Sequence, residues 1–249
     1  MKKPDDERPI TPLNQPSLEA VQRHPHLAAT RPSGFVRVDC HSHTMWSGDS
    51  TSTVDELVDA VIASAIDVLC ITDHSTTRGA EELQNVLPCR VVIGEELRTG
   101  PGELLGLFLT ERIPFGVTPE EFCRRVRDQG GIVSAPHPFD PLRNAMAPDV
   151  LRTLAEKGLL DVVEVFNAKV SLQHLNHTAV DFAKEFDLPG VVGSDAHVPE
   201  AIGAAYIEMP DFADAAEFLA HLPRGVVCGH YFDRARVWRP RIIPSMRTT

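Results

Sequence analysis

"FVRVDCHSHTMWSGDS", residues 35–50, is an apolar run that ends in two histidines with one residue between them and an aspartate soon after. In an extended strand, residues i and i+2 point to the same face. His41 and His43 can therefore aim two imidazoles at one point, as a metal site requires. A pair of ordinary loop histidines would read the same way in isolation, so the rest of the chain has to decide.

Downstream, strand-like runs alternate with amphipathic segments. The expected strands are "FVRVDCH", "DVLCITDH", "RVVIGEEL", "ELLGLFL", "GIVSAPH", "LLDVVEVFN", "GVVGSDAH" and "AAYIEMP". The expected helices are "STVDELVDAVIASA", "TPEEFCRRVRDQG", "APDVLRTLAEKG", "HTAVDFAKEFD" and "DFADAAEFLAHL". Thr118-Pro119-Glu120-Glu121 has the form of an N-cap, a proline at the first helical position and an acidic first turn. Gly130 and Gly158 stand where helix stops belong. Apolar strands separated by helices predict a parallel sheet covered on both faces. At 249 residues, a closed α/β barrel and an open doubly wound sheet both fit.

Polar residues decide between them. They recur at the C-terminal ends of successive strands: His41 and His43, Asp73 and His74, Glu95 and Glu96, His137, Glu164 and Asn167, then Asp195 and His197. In a barrel these ends converge on one rim, where barrel enzymes carry their chemistry. The barrel is the expectation. Residues 1–34 are proline-rich and polar without periodicity and read as an extended or disordered arm, which leaves 35–249 as a single barrel domain.

Lys and Arg total 24 against 35 Asp and Glu, a net charge of −11. That sign disfavours a protein gripping long nucleic acid through its phosphates, yet allows a small phosphorylated substrate held through bound cations. The five cysteines form no CxxC pair, which points to reduced thiols and a cytoplasmic setting. No apolar run is long enough for a membrane span, and the first residues lack a signal-peptide core. His24, His26, His174, His177, His221 and His230 lie away from the strand ends and read as surface or core residues.

The ordered set "HSHT…SGDS", "ITDHSTTRG", "GEEL", "APHPFD" and "GSDAH" resembles the polymerase-and-histidinol-phosphatase (PHP) family of metal-dependent phosphoesterases, over about residues 37 to 205. The resemblance implies a distorted (β/α)7, TIM-like barrel with two or three divalent metal ions, manganese, iron or zinc, at the C-terminal rim of the strands. It implies ligands at His41, His43, Asp49, His74, Glu96, His137, Asp195 and His197. His41, His43, Glu96 and Asp195 would share one ion, Glu96 would bridge to a second with His137, and Asp49, His74 and His197 would hold a third. Where many members of the family carry a histidine, this chain has Glu103. A carboxylate there can still ligate and shifts preference toward manganese or iron.

The expected reaction is hydrolysis of a small phosphate ester by a metal-activated hydroxide, without a phospho-enzyme; a nucleotide is among the candidate substrates. Asp195 and His197 are the candidate acid and base. Arg143, Arg78, Arg98 and Lys169 leave strand ends and are candidates for gripping phosphate. Asp39, Asp73 and Asn167 are candidates for orienting ligands from behind. Two other readings stay open: a 5′→3′ exonuclease on short RNA or DNA, and a non-catalytic, metal-stabilised PHP module. Neither the leaving group nor the oligomeric state follows from the sequence.

Overall fold

A computed structural model describes residues 31–232. Of the arm expected over residues 1–34, residues 1–30 lie outside the described residues, as does the chain beyond 232. Each expected strand forms: β1 (Phe35–Ser42), β2 (Val68–Ile71), β3 (Arg90–Thr99), β4 (Gly102–Leu107), β5 (Ile132–Ala135), β6 (Val162–Asn167), β7 (Gly190–Gly193) and β8 (Ala205–Pro210). The unexpected β9 (Val226–Gly229) follows them. The helices are α1 (Val54–Ser64), α2 (Arg78–Leu83), α3 (Pro119–Asp128), α4 (Pro148–Glu156), α5 (His174–Glu185) and α6 (Ala215–His221). Only the short α2 had no counterpart in the sequence pattern. Thr53 and Glu56 close a capping box on α1, and Thr118 caps α3 with Pro119 at its first turn. Gly130 and Gly158 take the positive φ that helix stops demand.

The strands form one sheet in the order β7-β6-β5-β4-β3-β2-β1-β8-β9. The expected parallel sheet needs correcting: β1–β2, β2–β3, β5–β6 and β6–β7 are parallel, whereas β3–β4, β4–β5, β1–β8 and β8–β9 are antiparallel. The reason is connection length. Only Gly100 and Pro101 separate β3 from β4, too little chain for the crossover that a parallel pair requires.

β1 then divides its bonding. Its first half, Phe35–Val38, pairs with β8. Its end turns to the chain after β7, where Asp195 N–H donates to His41 O (2.8 Å) and His43 N–H to Ala196 O (2.9 Å). This nearly closes strands β1 to β7 into a barrel, with β8 and β9 as an outer extension. The register between β1 and β2 slips from Asp39↔Leu69 to Ser42↔Ile71, a bulge of one residue on β1. A bulge reverses which face the following side chains occupy. His41 and His43 thereby point inward, above Val36, Val38 and Cys40.

The barrel interior below them is apolar, with Val38, Cys70, Val92, Leu107, Ile132, Val162 and Val191 in one buried cluster. Leu97, Leu104 and Val133 pack outward against Phe122, Val126, Leu151 and Phe182 of α3, α4 and α5. Leu69 and Ile71 do the same against Leu57, Val61 and Leu83 of α1 and α2. Among the described residues no helix is long and apolar enough to cross a membrane.

Candidate metal centre

Alternation along each strand brings the polar residues to the barrel mouth. On β3 the inward face runs Val92, Gly94, Glu96, so Glu96 faces the interior while Glu95 lies behind, accepting the Ile113 N–H at 2.7 Å. β4 runs the opposite way, which puts its first residues at the rim where its neighbours end. Glu103, paired with Arg98 across the ladder, reaches the mouth from the start of a strand rather than from its end. His137 and Asp195 adopt positive φ, 28° and 49°, uncommon for residues with a side chain and typical of strained functional positions. Gly193 is required because a Cβ there would overlap the His41 Cβ and crowd Glu164 Oε1.

The side chains so placed form a buried cluster. His41 Nε2 and His43 Nε2 approach to 3.0 Å. Glu96 Oε2 lies 3.5 Å from His41 Nε2 and 3.3 Å from His43 Nε2, and Asp195 Oδ1 lies 3.8 and 3.5 Å from the same two atoms. Four ligands about 2.1 Å from a tetrahedral ion stand roughly 3.4 Å apart. These separations bracket that value, so the donor set fits a divalent cation. Three further groupings meet the same need: Glu96, Glu103 and His137; His41, His137 and Asp195; and His43, Asp49, His74 and His197. His137 Nε2 stands 3.0 Å from Glu96 Oε1 and 3.9 Å from Glu103 Oε2. Asp49 Oδ2 is 2.9 Å from His197 Nε2 and 3.4 Å from His74 Nε2. The structure thus gathers every residue implied as a ligand, with Glu103 among them, and places His43 between two of the groups.

Charge balance within the cluster is tight. Burial alone would raise the Asp195 carboxyl, but Arg143, Lys169 and His41 hold it well below its ordinary range. Burial likewise opposes ionisation of Glu96, and the surrounding imidazoles, His41 first, hold it low. Burial and two neighbouring imidazoles, His197 and His74, keep His43 neutral, its lone pair available. Burial and the adjacent Glu96 push Glu103 up to about 7.

Arg143 Nη2 forms an ion pair with Asp195 Oδ2 at 2.9 Å and donates to Lys169 O at 3.2 Å. Lys169 Nζ lies 2.6 Å from His197 Nδ1 and 3.1 Å from Asp195 O. Both cations sit against Asp195, and Arg143 of the two lines the cavity. Arg78 instead pairs with Glu82 on the exposed side of α2 at 3.4 Å. Arg98 shares the inward face of β3 but is exposed at the rim, and neither it nor Arg78 lines the cavity. That cavity, about 360 Å³, is lined by Asp49, His74, Glu96, Glu103, His137, Leu142, Arg143, Asn144, Asp195 and His197.

Of the residues expected behind the ligands, Asn167 donates to Asp195 Oδ2 (3.3 Å) and Glu164 Oε2 (3.0 Å). Asp39 and Asp73 touch no imidazole. Asp39 accepts the backbone N–H groups of His41, Ser194 and Gly203, tying β1 to the chain beyond β7. Asp73 accepts from the N–H and hydroxyl of Thr44, both at 2.6 Å, and so fixes the backbone after His43. Sequence reasoning missed the residues that do orient imidazoles. Glu164 Oε1 meets His41 Nδ1 at 3.0 Å, and Ser47 Oγ meets His43 Nδ1 at 3.0 Å. Such partners fix the tautomer that leaves Nε2 free to bind a cation. Glu164 stood out as a strand-end carboxylate; Ser47 gave no signal.

The PHP domain family matches residues 39–100, and the PHP-associated family matches residues 173–227. Uncharacterized protein MJ0417 of Methanocaldococcus jannaschii is 36% identical over 194 residues, 74% of this chain and 78% of that protein. Uncharacterized protein MJ1587 of the same organism is 38% identical over 146 residues, 53% of this chain and 82% of that protein. A two-domain protein of Bacteroides vulgatus, described as containing a predicted PHP-like metal-dependent phosphoesterase, superposes with a TM-score of 0.64 at 17% identity, covering 81% of this chain and 67% of its own. PsfC of Pseudomonas syringae superposes with a TM-score of 0.60 at 19% identity, covering 79% of this chain and 92% of its own. With motif order, barrel and relatives in agreement, the chain belongs to the PHP family.

Proposed function

We propose that the protein hydrolyses the ester bond of a small phosphorylated compound, a phosphomonoester or a nucleotide 3′-phosphate. One observation carries the reading: a cavity of about 360 Å³ is lined by the imidazole–carboxylate cluster together with Arg143. That volume lies at the small end of ligand sites.

Two or three divalent cations would be held by His41, His43, Glu96 and Asp195, by Glu96, Glu103 and His137, and by Asp49, His74 and His197 with His43. The carboxylate-rich middle group suits manganese or iron better than zinc. When bound, such cations supply a water of lowered pKa and neutralise phosphate oxygens. Arg143, half-buried beside Asp195 in the cavity lining, presents N–H donors to the non-bridging oxygens, and Lys169 supports it through the same carboxylate. Asp195 and His197, both among the residues that would hold cations, are the candidates for carrying the proton between the water and the leaving oxygen. In the net reaction a water oxygen bonds to phosphorus, the ester P–O bond breaks, and the proton lost by water ends on the departing alcohol. The free cysteines support a cytoplasmic setting.

The test is turnover of nucleotide 3′,5′-bisphosphates, histidinol phosphate and short oligonucleotides with manganese, repeated with His41→Ala. Phosphate release that stops in the variant and on chelation is expected. Release indifferent to both would refute the reading. A steep loss of rate with rising salt would favour the exonuclease alternative, because a strand gripped at several phosphates releases several counterions.

A further inference from the structure

We infer that the cavity mouth selects esters whose leaving group has an apolar body, seated on Leu142 beside the phosphate-binding Arg143. The inference rests on the phosphoesterase reading and names the class of substrate for that site. Leu142 lines the cavity and is 80% exposed. Its neighbour Arg143 turns the other way, inward to Asp195. A phosphate held by Arg143 therefore leaves its esterified group one residue along the same loop, against the leucine.

Single exposed leucines are common and need no explanation. This one is held in place. Asp140, 1% exposed, accepts the Leu142 N–H at 3.0 Å with Oδ1. The same carboxylate accepts the Ser171 N–H at 2.7 Å and the Ser171 hydroxyl at 2.6 Å. Leu172, the next residue, is 52% exposed. One buried carboxylate thus clamps the Leu142 loop to the Ser171 loop and holds Leu142 at the cavity. The other end of the Leu142 loop is fixed too, since Asn144 O accepts from Glu103 N–H at 2.8 Å and Asn144 Nδ2 donates to Glu103 Oε1 at 3.1 Å. An apolar surface fixed at both ends needs no ordering when a ligand arrives, and pre-ordered contact is the form that yields selectivity. A polyol or sugar leaving group would instead lose water against this leucine with no partner for its hydroxyls.

The experiment compares benzylphosphonate with methylphosphonate, which share the charged head and cannot be hydrolysed at an ester bond. Binding of each to the manganese-loaded full chain is measured by calorimetry for the unaltered protein, Leu142→Ser and Leu172→Ser. Covering one face of a phenyl ring removes enough apolar surface from water for about a ten-fold preference for benzylphosphonate. Leu142→Ser is expected to abolish most of that preference with methylphosphonate affinity unchanged, and Leu172→Ser, outside the cavity lining, to leave the preference in place. Equal affinity for the two phosphonates, or equal losses for both in Leu142→Ser, overturns the inference. Turnover of benzyl phosphate and glycerol phosphate separates it from the parent reading. Selective phosphonate binding without cleavage of either ester would sink the hydrolase while sustaining the apolar seat.

Discussion

Replacing Glu164 by glutamine would alter one atom and reverse the polarity of His41. Glu164 Oε2 already accepts from the His137 N–H and from Asn167, so the glutamine carbonyl must take that side. Its NH2 then faces His41 Nδ1, which has to become an acceptor and move its proton to Nε2. A protonated Nε2 cannot bind a cation. Manganese affinity is expected to fall about 10- to 100-fold, read by metal titration of the folded variant; unchanged affinity would show that the carboxylate has no hold on the tautomer. A second carboxylate acts on stability. Glu95 is buried behind β3, and burial pushes it up to about 7. Folded protein therefore holds a proton that the unfolded chain releases between about pH 4.5 and 7, and stability falls as pH rises through that window. The effect is bounded at about 3 kcal/mol. Glu95→Gln should flatten the decline of melting temperature between pH 5 and 7.5, and a variant as steep as the parent would refute the assignment.

At the scale of the element, the hairpin β3–β4 carries the part of the site that strand patterns convey least. Strand-end histidines and acids were readable because strand-helix alternation aligns their ends, whereas the choice of Glu96 over Glu95 came from the resemblance to the family motif. Glu103 lies at the beginning of a strand and reaches the rim only because β4 is antiparallel. The bulge that turns His41 inward, and the seryl and glutamyl partners behind the imidazoles, depend on pairings between distant segments, which composition and periodicity do not encode. The hairpin tip is also where the Leu142 loop docks. Gly102 has φ 152°, and a Cβ on it would overlap the Met146 Cα. Ala147 N–H donates to Pro101 O alongside, at 2.9 Å. Gly102→Ala should force the loop off the hairpin, costing about 1–3 kcal/mol. Because that loop holds Arg143 and Asn144, phosphonate binding should weaken more than the melting temperature alone implies. Normal binding in a destabilised variant would show that the loop keeps its place without the hairpin.

For the whole molecule, the cluster sets a conflict that cations resolve. An apolar barrel interior ends at a layer where Glu96, Glu103, Asp195 and Glu164 are all nearly inaccessible to water. Ionised groups there are costly to bury unless compensated. Arg143, Lys169 and protonated His41 supply part of the compensation in the folded chain; burial opposes charge on His41, but Glu164, Asp195 and Glu96 raise its pKa well above the ordinary value. A bound cation does so better, with two positive charges inside the ring of donors, and it binds the folded state alone because those donors come from separate strands. Stabilisation then follows RT ln(1 + [M]/Kd), about 2.7 kcal/mol at a hundred-fold excess over Kd. For a chain of this size that is a rise of about 5–10 °C in melting temperature. Manganese added to the chelated protein should raise the transition by that amount, and chelator should reverse it. His41→Ala, which removes a donor without touching the outer helices, should lose most of the increment while retaining the same secondary structure by circular dichroism. A transition indifferent to manganese would mean that the buried donors are balanced by Arg143, Lys169 and their own protons, and that the cluster is an internal ion-pair network with no resident cation.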